Sequence, residues 1–234
     1  MRWYVFTYDG KPSSDYGTFI AKSNMFDAPE RDYESVVIPG KSGELTLDNG
    51  RYRNFIGTIE AYVPRRMQGN VPGLRGYLGS KTGYHRYTDN MHPEEYRMAR
   101  FVGGFVVSES DRVSAALTLT FDCMPQRWLL SGDAQQTFTS NGTIYNPTLY
   151  TAKPLIRAYG TGSMTINGTT VQITSANQYT DIDCELMDCF KGSTNCNNNV
   201  VLTNGQFPTL APGMNNITKS GITSLVITPK WWTL

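Results

Sequence analysis

Apolar and polar positions alternate at period two along much of this chain, the spacing of strands with one buried face. The clearest run is Val113 to Cys123, where Ala115, Leu117, Leu119, Phe121 and Cys123 alternate with Ala116, Thr118, Thr120 and Asp122. Trp3 to Tyr8 is rich in aromatic and β-branched residues and stops at Asp9-Gly10-Lys11-Pro12, a turn signal. Tyr16 to Ala21 and Tyr33 to Ile38 repeat the pattern, the second ending at Pro39-Gly40. Glu44 to Asp48 leads into Asn49-Gly50, a strong hairpin signal, and Arg51 to Val63 continues as strand. The pattern predicts a long hairpin with a polar tip at Asn49-Gly50.

The period changes between Val71 and Ser80. Leu74, Tyr77 and Leu78 fall at i, i+3 and i+4 behind Pro72, which predicts one short helix with Pro72 in its first turn. Pro93 to Ala99 could add a turn of helix before Arg100 to Val107 returns to strand. Ser131 to Thr143 is polar and almost uncharged, so the border between two domains is expected there, with residues 1–135 on one side and 136–234 on the other. The second segment shows short strands with turns at Gly160-Thr161-Gly162, Asn167-Gly168, Thr203-Asn204-Gly205 and Pro212-Gly213, spacing that predicts a β-sandwich.

Composition sharpens this to a mostly-β chain: 234 residues with 22 Gly, 12 Pro and 14 Tyr, 39% hydrophobic and 18% charged. Asp9 interrupts the N-terminus before a signal-peptide core could form, and no apolar run is long enough for a membrane helix, so folding in a cytosol is expected. The net charge of +1 argues against nucleic-acid binding driven by bulk charge. It is unevenly spread, however: residues 1–50, 51–100, 101–129 and 130–234 carry −3, +5, −1 and 0. The positive band interleaves Arg51, Arg53, Arg65, Arg66, Arg75, Lys81, Arg86, Arg97 and Arg100 with aromatic residues. It can be read as solvated arginines over an aromatic core, as a subunit contact, or as a stacking surface for single-stranded nucleic acid.

No catalytic constellation emerges. Gly40-Lys41-Ser42 has the tail of a phosphate-binding loop but has Ser35 where that motif needs Gly. His85 and His92 lack a second ligand pair at metal spacing, and no Gly-x-Ser-x-Gly elbow occurs. Asp181, Asp183 and Glu185 alternate with Ile182, Cys184 and Leu186, the pattern of a half-buried strand with a solvated face, although the carboxylates could also form an acid–base pair or a hard-cation site. The four cysteines make no Cys-x-x-Cys. Cys123 reads as a buried hydrophobe, and Cys189 and Cys196, which could bridge across a hairpin, read as free thiols. No metal, cofactor or catalytic residue is assigned, and an enzyme is not expected.

Several stretches, in order across nearly the whole chain, resemble the distal tail protein (Dit) family of long-tailed phages with Gram-positive hosts. They are Tyr16-Gly17, Pro29 to Tyr33, Val36 to Gly43, Asn49-Gly50-Arg51-Tyr52, His92 to Ala99, Pro154-Leu155-Ile156 with Gly160-Thr161-Gly162, Phe207 to Asn215, and Pro229-Lys230-Trp231-Trp232. The resemblance implies an N-terminal β-rich ring-forming (belt) domain, with the long hairpin as an arm, followed by a C-terminal galectin-like β-sandwich. It implies a homohexameric ring at the virion tail tip, assembled in the host cytoplasm, that joins the tail tube protein to the tail-tip hub, a tail-associated lysin-like protein. The tape measure protein and receptor-binding proteins are further partners it brings into view; a membrane and sequence-specific nucleic acid are not. On this reading Asn49, Gly50, Arg51, Arg53, Arg65 and Arg66 are candidates for the subunit interface or channel. The chain lacks the His, Asn, Arg and Trp pattern with which galectins grip galactose. Trp231 and Trp232 remain as candidate glycan contacts of the alternative reading, a carbohydrate-binding module for the host surface, although at least one of them is expected to pack over the sandwich.

Overall fold

The computed structural model describes residues 3–110 and 112–234. The chain divides into two compact units between Arg127 and Trp128, ahead of the expected 135/136 border, with Leu234 belonging to the first. Strand rather than helix dominates both, and among the described residues no helix is long and apolar enough to cross a membrane.

The first unit contains β1 (Phe6–Tyr8), β2 (Lys11–Pro12), β3 (Phe19–Ser23), β4 (Arg31–Val37), β5 (Glu44–Tyr52), β6 (Phe55–Val63), α1 (Met67–Gly79), β7 (His85–Asp89), β8 (Glu95–Ser110) and β9 (Ala115–Leu129). Its main sheet runs in the order β2-β1-β7-β8-β9-β6-β3, while β4 and β5 form a separate two-stranded ribbon. The period-two run of β9 sets the core. Ala115, Leu117, Leu119, Phe121 and Cys123 are buried, and the antiparallel register places Leu119 opposite Ile59 and Leu117 opposite Ala61. Gly57, opposite Phe121, is small for a reason: a Cβ there would run into the Met25 and Cys123 sulfurs.

Helix α1 buries Val71, Leu74 and Leu78 against β6 and β8. It begins a turn earlier than the sequence predicts. Arg66 takes the left-handed conformation (φ 54°), the Met67 amide donates to the Val113 carbonyl at 3.1 Å, and Gly69 and Asn70 bond back to Arg66. Pro72 therefore lies inside the helix, where it has no N–H to donate to the carbonyl one turn back. Pro93 to Ala99 is a turn followed by strand, with the Glu95 amide donating to the His92 carbonyl at 3.3 Å. On that strand Arg97 is fully buried, at 0% exposure, with its guanidinium over the Phe55 ring at 4.5 Å and Nη2 donating to the Asp27 carbonyl at 3.3 Å. Burial holds its pKa down to about 10. Arg97 is thus a core residue and not part of a solvated band.

The second unit is a β-sandwich of β10 (Gln136–Phe138), β11 (Gly142–Asn146), β12 (Leu155–Tyr159), β13 (Gly162–Ile166), β14 (Thr169–Ile173), β15 (Tyr179–Asp183), β16 (Asp188–Lys191), β17 (Thr194–Asn195), β18 (Val200–Leu202), β19 (Gly213–Ser220) and β20 (Ser224–Thr228). One sheet has the order β10-β20-β12-β15-β16-β17 and the other β11-β19-β13-β14-β18. Ile156, Ile182 and Leu225 from the first meet Ile144, Met164, Val171 and Ile217 from the second in one core. The Asn167-Gly168 turn predicted by sequence joins β13 to β14, with φ of 47° and 87° at the two residues. Two polar residues sit inside at little cost because they are satisfied. Asn146 donates to the Tyr150 and Leu210 carbonyls and accepts from Thr148, and Asn215 donates to the carbonyls of Ala211 and Gly213.

Candidate assembly surface

The ribbon of β4 and β5 is an arm rather than a core element. Val36 pairs with Leu45, Glu34 with Leu47, Ser35 with Thr46 and Val37 with Glu44, and of the strand residues Asp32 alone is buried. Directly opposed residues share a face, so Val36, Leu45 and Leu47 line one side and Tyr33 and Val37 the other. Val37 is 70% exposed, Leu45 and Leu47 46%, and Val36 38%.

The arm's tip is not where the sequence places it. The turn lies at Ile38–Gly43, with the Lys41 amide bonded to the Ile38 carbonyl at 3.1 Å and Gly40 and Gly43 at φ 81° and 87°. Asn49-Gly50 forms a bulge within β5 instead, where the register slips between Arg31 and Tyr33. A bulge satisfies the positive φ of Gly50 (69°) as well as a turn does, and the Asp48 carboxylate accepts the Gly50 amide at 2.8 Å. Nor is Arg51 to Val63 one strand: β5 ends at Tyr52 in the arm and β6 begins at Phe55 in the main sheet.

At the arm's base Asp32 accepts from Arg51 Nε at 2.7 Å and from Arg53 Nε at 2.6 Å, while Arg53 Nη2 also donates to the Tyr33 carbonyl at 3.2 Å. These two guanidiniums hold the Asp32 carboxyl below the usual carboxylate range. Beside them Arg31 Nε donates to Asp48 at 2.7 Å and the guanidinium lies 5.3 Å from the Tyr52 ring centre; this pairing lowers the pKa of Asp48 and raises that of Arg31. Asp32, Arg51, Tyr52, Arg53 and Asn54 line an open hollow at this junction.

The split between the −3 and +5 segments is consequently muted within the chain. Asp32 neutralises part of Arg51 and Arg53, Asp9 pairs with Lys81 at 2.5 Å, and Asp122 with Arg100 at 2.9 Å. Arg75, Arg86 and Arg97 lie over the rings of Phe105, Tyr96 and Phe55. Arg65 and Arg66 alone, of the nine cations in the band, meet neither a carboxylate nor a ring among the described residues, and both are exposed at the start of α1. The aromatic residues of the band are spent internally. Tyr87 and Tyr96 are buried, Tyr77 donates to the Tyr8 carbonyl at 2.6 Å, and Tyr84 donates to Asp122 at 2.6 Å. A stacking surface for nucleic acid is not what they form.

The remaining candidate chemistry is structural. His85 Nδ1 lies 3.1 Å from Asp9 and His92 Nδ1 3.0 Å from Asp89, and no cluster of metal-ligating side chains occurs among the described residues. Asp181 does not lie on a solvated face. It is buried and gripped by Arg157 through Nε at 2.7 Å and Nη2 at 2.8 Å, and the Arg157 guanidinium lies over the Tyr179 ring at 4.3 Å. Asp183 instead caps a turn by accepting the amides of Glu185 and Leu186, and Glu185 pairs with Lys153 at 3.2 Å. The three carboxylates are engaged separately and are not an acid–base pair. Trp231 is buried in the sandwich core, which leaves no open ring face for a sugar. Trp232 stacks on Tyr150 at 4.4 Å and its indole N–H donates to the Thr151 carbonyl at 3.0 Å.

No family model and no curated protein matches the chain. A solved structure does match: the crystal structure of the SPP1 Dit protein (gp 19.1), described as a paradigm of the hub adsorption apparatus in phages infecting Gram-positive hosts, superposes with a TM-score of 0.78 over 100% of both chains at 15% identity. The chain has the Dit fold. That fold covers both units from end to end, so neither unit is an addition to it.

Proposed function

We propose that this chain is a structural, non-enzymatic component of a long-tailed phage: a distal tail protein that closes into a hexameric ring and joins the tail tube to the tail-tip hub. The observation that carries the proposal is the Dit fold over the full length of the chain, in a molecule that carries an arm of exposed apolar residues. A head-to-tail ring needs a patch on one copy that fits a different patch on the next. The β4–β5 arm supplies such a patch. It has unpaired strand edges for a neighbour to extend and apolar side chains on both faces for that neighbour to cover. Arg65 and Arg66, which meet no carboxylate or ring among the described residues, supply charge for setting register across the same contact or for lining the channel.

The ring's partners on this reading are the tail tube protein on one side and the hub on the other, with the tape measure and receptor-binding proteins beyond them. The second unit acts as a scaffold there: a galectin-like sandwich carries no sugar specificity without a site. Mass photometry of the purified chain, alone and with the tube and hub proteins of the same tail, tests the proposal. Six-fold assemblies that incorporate both partners are expected. A chain that stays monomeric with both partners present would contradict it.

A further inference from the structure

The β16–β17 hairpin brings two thiols to one rung of a ladder. Phe190 stands opposite Asn195 and Lys191 opposite Thr194, so one further step places Cys189 opposite Cys196, and the Cys196 amide donates to the Cys189 carbonyl at 2.7 Å. Opposed residues of an antiparallel pair project to the same face. Here that face is the sandwich core, in which Cys189 is buried and against which Cys196 packs from the edge. Both are free thiols.

We propose that Cys189 and Cys196 are a latent disulfide site, a cross-strand bridge that forms when the folded protein meets a small-molecule disulfide. Opposed Cα atoms of an antiparallel pair lie about 4.5–5.5 Å apart, within the roughly 4.4–6.8 Å that a disulfide spans. Cys184 is the competing partner, but it follows the last β15–β16 pair, Asp183 with Asp188, and the position across from Cys189 on β15 is held by Ile182. Cys196 is therefore the thiol directly across. A hollow lined by Met187, Asn197, Val200 and Leu202 opens beside Cys189 and gives its sulfur room to turn.

The chemistry is thiol–disulfide exchange. Cys196, the more exposed of the two, loses its proton to solvent and attacks one sulfur of the small disulfide, forming a mixed disulfide and expelling one thiolate, which takes up a proton. Cys189 then loses its own proton and attacks the Cys196 sulfur, expelling the second thiolate, which is protonated in turn. Two protein thiols are oxidised and one small disulfide is reduced to two thiols. Burial pushes the Cys189 thiol up to about 11, so the second step is the slow one. The bridge would fasten β17, and the turn that leads into β18, to β16. This site goes beyond the assembly reading and does not depend on it.

The test uses the full-length folded chain, incubated with glutathione disulfide, alkylated and measured by intact mass. The expected result is a loss of about 2 Da from the two departing hydrogens, a fall from four alkylatable thiols to two, and a peptide map linking Cys189 to Cys196. Cys196→Ser should abolish the mass loss while Cys184→Ser preserves it. Cys196→Ser sits at the edge of the core, which keeps the test clear of a folding defect. No mass loss in the native chain, a glutathione adduct that persists on Cys196, or a linkage through Cys184 would each overturn the proposal.

Discussion

Val36 stands directly across from Leu45 in the β4–β5 ladder, and both side chains remain open to solvent on a ribbon that no third strand extends among the described residues. A free two-stranded hairpin is marginal in water, and in the proposed ring this pair is what a neighbouring copy would cover. A Val36→Ser/Leu45→Ser variant should melt within a few degrees of the parent, because exposed sites away from a core change stability by only about 0.5 kcal/mol. Its self-association should weaken at least tenfold, on the order of 1.4 kcal/mol. Thermal melts paired with mass photometry separate the two effects; equal loss of both would show that the arm is a folding element.

Charge reversal at Arg65 and Arg66 should act on assembly and spare the fold. Both are exposed and neither meets a carboxylate among the described residues, so Arg65→Glu/Arg66→Glu removes no ion pair described within the chain. The variant should associate more slowly than the parent at low salt, and the gap should close as salt screens the contact. Association rates across an ionic-strength series check this.

Acid should loosen the base of the arm. Arg51 and Arg53 lower the folded-state pKa of Asp32 below its unfolded value, near 3.9. Its contribution to stability is therefore complete above that unfolded value and is lost as pH falls through the lower folded one. Urea unfolding between neutral pH and about pH 3 should show a shallower acid decline for Asp32→Asn than for the parent. An unchanged slope would mean that the two arginines do not stabilise the ionised carboxylate.

Gly162 should tolerate no side chain. Its φ of 140° is a conformation that L residues avoid, and a Cβ would collide with the Ser220 carbonyl oxygen and the Ile222 amide. Gly162→Ala should cost about 3 kcal/mol or more, since backbone strain and a clash with fixed main chain act together. The same change at Gly168, which a Cβ would leave unobstructed, should cost less despite its positive φ. Denaturant midpoints of the two variants make the comparison.

The strand architecture was legible in sequence wherever a strand has one wet face, because period-two alternation then records burial directly. Ala115 to Cys123 is the plain case. The arm was legible only in part. Its strands are exposed on both faces, so no alternation marks them, and Asn49-Gly50 advertises a turn while Ile38–Gly43 makes one. The local chemistry of a bulge and of a hairpin turn is the same at that Gly, and only the register of a distant partner, Arg31 to Tyr33, tells them apart. Asp32 could not be singled out for a similar reason: its partners Arg51 and Arg53 are 19 and 21 residues away. Arg97 read as a surface cation because its sequence neighbours Glu95 and Met98 say nothing of the Phe55 ring that covers it. Of the candidate residues, Arg51 and Arg53 proved to be the arm's anchors, and Arg65 and Arg66 the cations of the band that meet no carboxylate or ring among the described residues.

The ring is the central claim, and an averaged electron-microscopy image of tail tips containing this chain tests it most directly. The account predicts six copies around an open channel, each β4–β5 arm laid on its neighbour with Val36, Leu45 and Leu47 covered. A ring of another order, or arms that face bulk solvent in the assembled tip, would contradict it.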